Sequence, residues 1–286
     1  MKAILSKVGV VGGGRMGSGI AHLFLTQGVR VTVIERDPDS ARRSYDRIAK
    51  VIEVSRQRGA VTESGDAVMT RLTVGTDMTV LPGDSELVIE AVPEAVPMKI
   101  DILGRIESVV TPSTVIASNT SSLSINELSA GLTRPDRFLG MHFFNPVPVS
   151  LLVEIVSTGS VDCAIVERVA SWVKAIGKEA VCINDAPGFA TSRLGVALGL
   201  EAIRMVEDGV GSAETIDRAI TLSYKHPVGP LRLTDIVGLD VRLAVADYLA
   251  GRLGERFRAP QLLRSMVAEG RTGRKAGSGF YEWDSN

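Results

Sequence analysis

The sequence predicts an α/β protein in two parts: a doubly wound, mostly parallel sheet over residues 1–185 and an all-α domain over residues 186–286. Three observations carry that expectation. Short β-branched runs alternate with stretches of helical periodicity as far as Ile183, the pattern of a parallel sheet with helices on both faces. A glycine-rich turn stands between the first such run and the first helical stretch. After Asp185-Ala186-Pro187-Gly188 the character changes, and from Ser192 onward only helical periodicity remains.

Taken in order, Val8–Val11 is a short apolar run suited to a buried parallel strand. Met16, Ile20, Leu23 and Phe24 then recur at helical spacing, and Val29–Ile34 is a second β-branched strand. Asp37-Pro38-Asp39-Ser40 opens the next helix, since proline presets φ and acids suit a helix N-terminus. Further strands are predicted at Leu72–Val74, Leu87–Glu90, Thr114–Ala117, Phe138–Met141, Leu152–Ile155 and Ala180–Ile183. Helices are predicted at Met98–Val110 and Asp162–Ile176. Gly195, Ala197, Gly199 and Ala202 on one C-terminal helix permit close packing, within or between subunits.

Composition narrows the function. A chain of 286 residues is long enough for two cores, and 45% hydrophobic with 23% charged residues is a globular balance. A net charge of −1 gives no electrostatic signature of nucleic-acid or anionic-membrane binding. No apolar run approaches the ~20 residues of a membrane helix, and the N-terminus has no secretory pattern. The expectation is a cytoplasmic protein. Cys163 and Cys182 form no CxxC or Cys/His cluster and are expected as reduced, packed thiols, with no metal site.

The first strand delivers into Gly12-Gly13-Gly14-Arg15-Met16-Gly17, a G-x-G-x-x-G turn at Gly12, Gly14 and Gly17. One glycine makes the turn, one admits a pyrophosphate and the third lets helix and strand touch. The helix N-terminus then offers N–H groups to the phosphates. This is a Rossmann-like arrangement. Glu35 ends the second strand, where an acid accepts hydrogen bonds from the adenosine ribose and repels a 2′-phosphate, which favours NAD. Arg36 beside it complicates that choice, because a guanidinium pairs with the same phosphate.

Three further stretches carry chemistry. Ser118-Asn119-Thr120-Ser121-Ser122-Leu123 follows a strand, where loops of an open sheet form the ligand crevice; a bland helix cap uses the same residues. His142-Phe143-Phe144-Asn145-Pro146-Val147-Pro148 precedes Val153-Glu154, and two strands joined by a short excursion would bring His142 to Glu154. A carboxylate there would orient the imidazole and stabilise its charged form, whereas a structural histidine is the commoner default. Pro187-Gly188-Phe189 through Arg193 lies at the domain junction, where pockets favour forming.

In this order the motifs resemble the 3-hydroxyacyl-CoA dehydrogenase family. They are Gly12-x-Gly14-x-x-Gly17, Ser118-Asn-Thr-Ser-Ser-Leu, His142-Phe-Phe-Asn-Pro-Val-Pro, Pro187-Gly-Phe, His226-Pro-Val-Gly-Pro with Asp235-Ile-Val-Gly-Leu-Asp240, and the tail Gly273-Arg-Lys-Ala-Gly-Ser-Gly-Phe-Tyr281. The resemblance spans the whole chain, and its length is that of the short stand-alone form acting on 3-hydroxybutyryl-CoA. It implies NAD-dependent oxidation of an (S)-3-hydroxyacyl-CoA, with His142 as base, Glu154 as its partner, and Ser121 and Asn145 bonding the reacting oxygen and the nicotinamide region. It implies cofactor contacts at Gly12, Gly14, Arg15, Met16, Gly17, Glu35, Glu94, Lys99, Ser121, Asn145 and Lys275. It also implies a homodimer through the helical domain. Ser192 stands where the family usually has asparagine in Pro-Gly-Phe-x-x-Asn-Arg, which adjusts substrate positioning. Lys50, Arg56 and Arg58 lie where relatives place basic residues for the CoA phosphates, although a solvated helix face reads equally well. Dehydrogenation of a free hydroxy acid or sugar acid, or a silent NAD-binding protein, are the alternatives.

Overall fold

A computed structural model describes residues 5–284 of the chain, so residues 1–4 and 285–286 of the two expected domains lie outside it. The chain divides into two compact units, Met1–Asp185 and Ala186–Asn286.

In the first unit, β1 (Lys7–Val11), α1 (Arg15–Leu25), β2 (Arg30–Ile34), α2 (Pro38–Gln57), α3 (Gly65–Met69) and β3 (Leu72–Gly75) build one half. The other half is β4 (Leu87–Glu90), α4 (Val96–Val109), β5 (Val115–Ser118), α5 (Ile125–Ser129) and β6 (Phe138–Phe143), extended by β7 (Leu152–Ser157), α6 (Cys163–Ala175) and β8 (Glu179–Asn184). The eight strands lie in the order β3-β2-β1-β4-β5-β6-β7-β8. Every neighbouring pair is parallel except β6 and β7. The chain builds outward from β1 to β3, returns to lay β4 beside β1, and builds outward again. That reversal makes β1/β4 the switch point, where an open sheet leaves a crevice at the carboxyl ends of its strands.

Strand alternation decides what each face carries. Val8, Val10, Val31, Val33, Leu139 and Met141 belong to one buried cluster with Ile20 and Phe24 of α1, Ile48 and Ile52 of α2, and Val169 and Val173 of α6. The intervening residues point the other way: a Cβ on Gly140 would come 2.9 Å from Ile125 Cδ1 of α5. By the same alternation His142 lies on the Gly140 face, away from α1, α2 and α6. α2 opens as its sequence dictates. Asp37 caps it, accepting from Ser40 N at 2.7 Å ahead of Pro38. The Ser40 backbone N–H and hydroxyl, with Arg36 beside them, lower the Asp37 carboxyl to about 2.

Strand β6 continues past Met141 to Phe143, because β7 pairs with it from Gly140 through Phe143. His142 is therefore a strand residue. Both cysteines, expected to be packed, are exposed free thiols: Cys163 opens α6 and Cys182 lies on the edge strand β8. An edge strand has no neighbour beyond it to cover such a side chain.

The second unit contains α7 (Thr191–Glu207), α8 (Ala213–Ser223), α9 (Pro230–Val237), α10 (Leu239–Leu253) and α11 (Gln261–Ala268). Leu200, Ile203, Leu231, Leu239, Leu249 and Leu263 form its core. Two buried carboxylates fasten its tail. Asp235 accepts from Phe280 N and Tyr281 N, both at 2.9 Å, and from Trp283 Nε1 at 2.8 Å. Asp217 accepts from Leu231 N, Arg232 N and the Tyr281 hydroxyl, each at 2.8 Å. Burial, then the Asp217 carboxylate, push the Tyr281 hydroxyl upward. A Cβ on Gly279 would fall 2.3 Å from Asp235 Oδ1, so the glycine of the tail motif is a packing requirement.

Candidate active site

The glycine turn is built by contact. Gly12 has φ +97°, and a Cβ there would meet Ala91 O at 2.8 Å. A Cβ on Gly17 would fall 1.8 Å from Gly12 O, so α1 rests directly on the turn. Gly14 differs, since a Cβ on it would meet nothing within 4 Å. It faces open space and begins α1 with no side-chain cap, leaving that helix's first N–H groups for an outside acceptor. Between them Gly13 is gripped from both sides. Its N–H donates to Glu35 Oε1 at 2.8 Å, and its carbonyl receives Ser18 Oγ at 2.7 Å and Arg47 Nη1 at 2.5 Å.

Beside the turn opens a cavity of about 710 Å³ whose lining includes Gly12, Gly14, Arg15, Met16, Glu35, Arg36 and Val92. Its size is in the range of small-molecule sites. Glycine at the point of closest approach, an uncapped helix start and an acid at the end of β2 fit a dinucleotide.

A second polar region lies at the carboxyl ends of β4 and β5. Glu90 and Ser118 are register partners, and Ser118 Oγ donates to Glu90 Oε2 at 2.5 Å. Lys99 Nζ donates to Glu90 Oε1 at 2.7 Å and to Val92 O at 3.2 Å, and lies 3.3 Å from Glu94 Oε2. Lys99 and Glu90 are 1% and 0% exposed. Lys99, expected among the cofactor contacts, is thus committed to the core, because an ammonium there needs this set of acceptors. Glu94 is exposed, and its Oε1 accepts from Thr120 Oγ1 at 2.6 Å and Ser121 N at 3.0 Å. Both residues therefore order the 118–122 loop, and neither lines the cavity.

The antiparallel pairing of β6 with β7 sets His142 opposite Glu154. Nδ1 of His142 and Oε2 of Glu154 are 2.8 Å apart, with the residues 6% and 0% exposed. The Phe144 ring centroid is 4.2 Å from that of His142. Asn145 is exposed at the start of the excursion, before a cis Asn145-Pro146 bond.

Two residues here were not singled out by sequence reasoning. Asn119 Oδ1 accepts from Phe143 N at 3.0 Å and ties the serine-rich loop to β6. Lys178 is buried and donates from Nζ to the carbonyls of Val147 (2.7 Å), Pro148 (3.4 Å) and Ser150, holding the excursion in place. Burial lowers its ammonium below the usual lysine value. The one signal for it was a lysine ahead of an apolar strand. Lys50 is exposed on α2. Ser192 and Lys275 belong to the second unit, Ser192 in the first turn of α7 and Lys275 paired with Asp240 Oδ2 at 2.5 Å.

Residues 7–186 match the profile of the 3-hydroxyacyl-CoA dehydrogenase NAD binding domain, and residues 188–283 match that of the 3-hydroxyacyl-CoA dehydrogenase C-terminal domain. The chain belongs to this family. It is 42% identical to a 3-hydroxybutyryl-CoA dehydrogenase of Mycobacterium tuberculosis, over 99% of this chain and all of the relative. It is 36% identical to the human mitochondrial hydroxyacyl-coenzyme A dehydrogenase, over 99% and 92% of the two chains. The crystal structure of M. tuberculosis FadB2 superposes with a TM-score of 0.93 at 42% identity, covering 99% and 100%. That of an (S)-3-hydroxybutyryl-CoA dehydrogenase from Ralstonia eutropha gives 0.92 at 35% identity, covering 98% and 100%. Family membership makes the first unit an NAD-binding one, in agreement with its glycine turn.

Proposed function

We propose that the chain oxidises (S)-3-hydroxyacyl-CoA thioesters of short acyl chain to 3-ketoacyl-CoA, reversibly, with NAD as cofactor. The observation that carries this is the buried His142–Glu154 pair at 2.8 Å, in the same unit as the cavity beside the glycine turn. Full-length relatives bearing the name 3-hydroxybutyryl-CoA dehydrogenase support the short acyl chain.

Bound NAD supplies the hydride acceptor. The turn at Gly12, Gly14 and Gly17, with Arg15 and Met16, would hold its pyrophosphate, and Glu35 the adenosine ribose. His142 takes the substrate hydroxyl proton as hydride leaves C3, and returns it in reduction. Nε2 is the nitrogen that exchanges it, since Nδ1 faces Glu154. Glu154 fixes the ring's tautomer and offsets the imidazolium charge. Ser121 and Asn145 donate hydrogen bonds to the developing alkoxide and to the nicotinamide region. Lys99 and Glu94 serve by ordering the loop that carries Ser121. Ser192 and Lys50 are assigned to the acyl-CoA and Lys275 to the cofactor. A cytoplasmic homodimer, joined through the second unit, completes the reading. Among the described residues no helix is long and apolar enough to cross a membrane.

Steady-state NADH oxidation tests the substrate class. Acetoacetyl-CoA should exceed acetoacetate in kcat/KM by about a hundredfold or more, on the order of 3 kcal/mol of added transition-state binding. Preference for the free acid would remove the thioester assignment. His142→Gln should lower kcat by about 10²–10⁴-fold while NADH still binds, and turnover near wild type would end the catalytic role.

A further inference from the structure

Resting on that reading and deepening it, we propose that the substrate's acyl chain ends in a carboxylate and that Arg242 receives it. The substrate class is then the mono-CoA thioester of a short 3-hydroxy dicarboxylic acid. The starting observation is a buried cation without a counter-ion. Arg242, in the first turn of α10, is 6% exposed. Its Nε is buried without a hydrogen-bond partner, and among the described residues no carboxylate pairs with the guanidinium. The acids near it in sequence are already spent, Asp240 on Lys275 and Asp235 on the N–H groups of the tail. Burial lowers its pKa to about 10, which leaves it protonated near neutral pH. A charge buried in this way is costly until an opposite charge meets it, and buried donors in folded chains almost always bond something.

The surroundings are shaped around that side chain. Ser192, Gly195 and Gly199 fall at i, i+3 and i+7 on α7 and so share one face. A Cβ on Gly199 would come 3.5 Å from Arg242 Nε and 3.2 Å from Thr234 Oγ1, a hydroxyl already given to Pro230 O. The guanidinium therefore lies against the α7 backbone, where a larger residue would press on it. Gly195 differs: apart from its own stretch of helix, a Cβ there would meet only Nη1 of Arg242, at 3.5 Å. Gly195 is half-buried, so one edge of the guanidinium fork borders open space. Gly195 and Gly199 lie about 4.5 Å and about 10.5 Å along α7 from Ser192, the residue assigned to the acyl-CoA. An extended chain covers about 3.3–3.6 Å in three bonds. Three bonds beyond C3, plus one hydrogen bond of about 2.8 Å, reach between those two positions, which fits a six-carbon diacid. A carboxylate matches the planar fork of a guanidinium, whereas a terminal methyl would leave the charge unanswered. The exposed Leu198, one turn on from Gly195, supplies apolar surface for the methylenes between.

The test compares two substrates of equal length on the full chain with NAD, following NADH formation at steady state. One is 3-hydroxyhexanoyl-CoA, and the other is the C1 mono-CoA thioester of 3-hydroxyhexanedioic acid. Wild-type protein should favour the carboxylate-ended substrate in kcat/KM by about tenfold or more, mainly through KM. Arg242→Met, which keeps the bulk of the side chain and drops its charge, should lower that preference ratio by about tenfold or more. Gly195→Leu, which fills the open edge and leaves the charge in place, should lower the same ratio and serves where Arg242→Met does not fold. A wild-type preference for the methyl-ended chain, or no preference, overturns the proposal and leaves the dehydrogenase reading standing. Variants that keep the wild-type ratio, including an Arg242→Met that changes only the subunit mass in solution, overturn it as well. Turnover of neither thioester removes both readings.

Discussion

Replacing Glu154 by glutamine tests the pair with almost no change of shape. The side chain stays isosteric, and its carbonyl oxygen still accepts a hydrogen bond from Nδ1, so the ground-state ring orientation survives. What is lost is the negative charge 2.8 Å from the imidazole, at a residue with 0% exposure. A charge-assisted hydrogen bond contributes about 1.5–3 kcal/mol against about 0.5–1.5 kcal/mol for a neutral one. The Coulomb attraction of two unit charges centred roughly 4 Å apart is about 4 kcal/mol at an effective dielectric constant near 20. Between these limits, about 2–4 kcal/mol of stabilisation disappears from the state in which the ring carries a proton, or about 30- to 1000-fold in kcat. Glu154 does not line the dinucleotide cavity, so the NADH Kd should stay within about twofold. The assay is steady-state reduction of acetoacetyl-CoA with parallel NADH titration. A kcat within threefold of wild type, in a variant of unchanged thermal midpoint, would refute the role of the carboxylate.

Other perturbations follow from particular contacts. Gly17→Ala forces a methyl to 1.8 Å from the Gly12 carbonyl, so the turn must open; stability should fall by about 1–3 kcal/mol and NADH binding by more than tenfold. An NADH Kd within twofold of wild type would contradict that packing. Lys178→Met strips the donor from the Val147, Pro148 and Ser150 carbonyls, and each buried acceptor left unmatched costs about 1–3 kcal/mol. Urea denaturation should show a lower midpoint and assays a lower kcat, because the loop bearing Asn145 loosens; an unchanged midpoint counts against the bracing role. His22 is lowered from 6.5 to about 4, by burial first and the Lys178 charge second. The unfolded chain therefore binds the extra proton between those values, so stability is full above about pH 6.5 and declines toward about pH 4, by roughly 3 kcal/mol in all. His22→Gln should flatten that part of the stability curve; an acid-side slope equal to wild type would exclude His22 as its source.

Much of the first unit was legible because its information is local. The turn at Gly12–Gly17 follows a strand and opens a helix, so residue type and order alone specified its geometry. Glu35 lies at a fixed distance along the chain from that turn, and the structure sets it against Gly13 N–H. Each strand predicted from a β-branched run has its counterpart in the sheet, with ends moved by a residue or two where a neighbour extended the pairing. The tail motif ending in Phe280-Tyr281 stood out in the sequence, but its anchors, Asp217 and Asp235, lie on other helices, and no local pattern pairs them with it.

Sequence alone pointed to the α/β class and the dinucleotide turn, through periodicity and glycine stereochemistry, and the ordered family motifs singled out His142 as the base to examine. Only the tertiary structure decided which charges face one another. It gave the expected approach of His142 to Glu154 its antiparallel register, sent Lys99 into the core against Glu90, and brought Asn119 and Lys178 to brace the segments around the site. The physical reason is that a hydrogen bond depends on ångströms and angles between groups far apart in the chain. Strand pairing and burial fix those distances, and no local pattern records them.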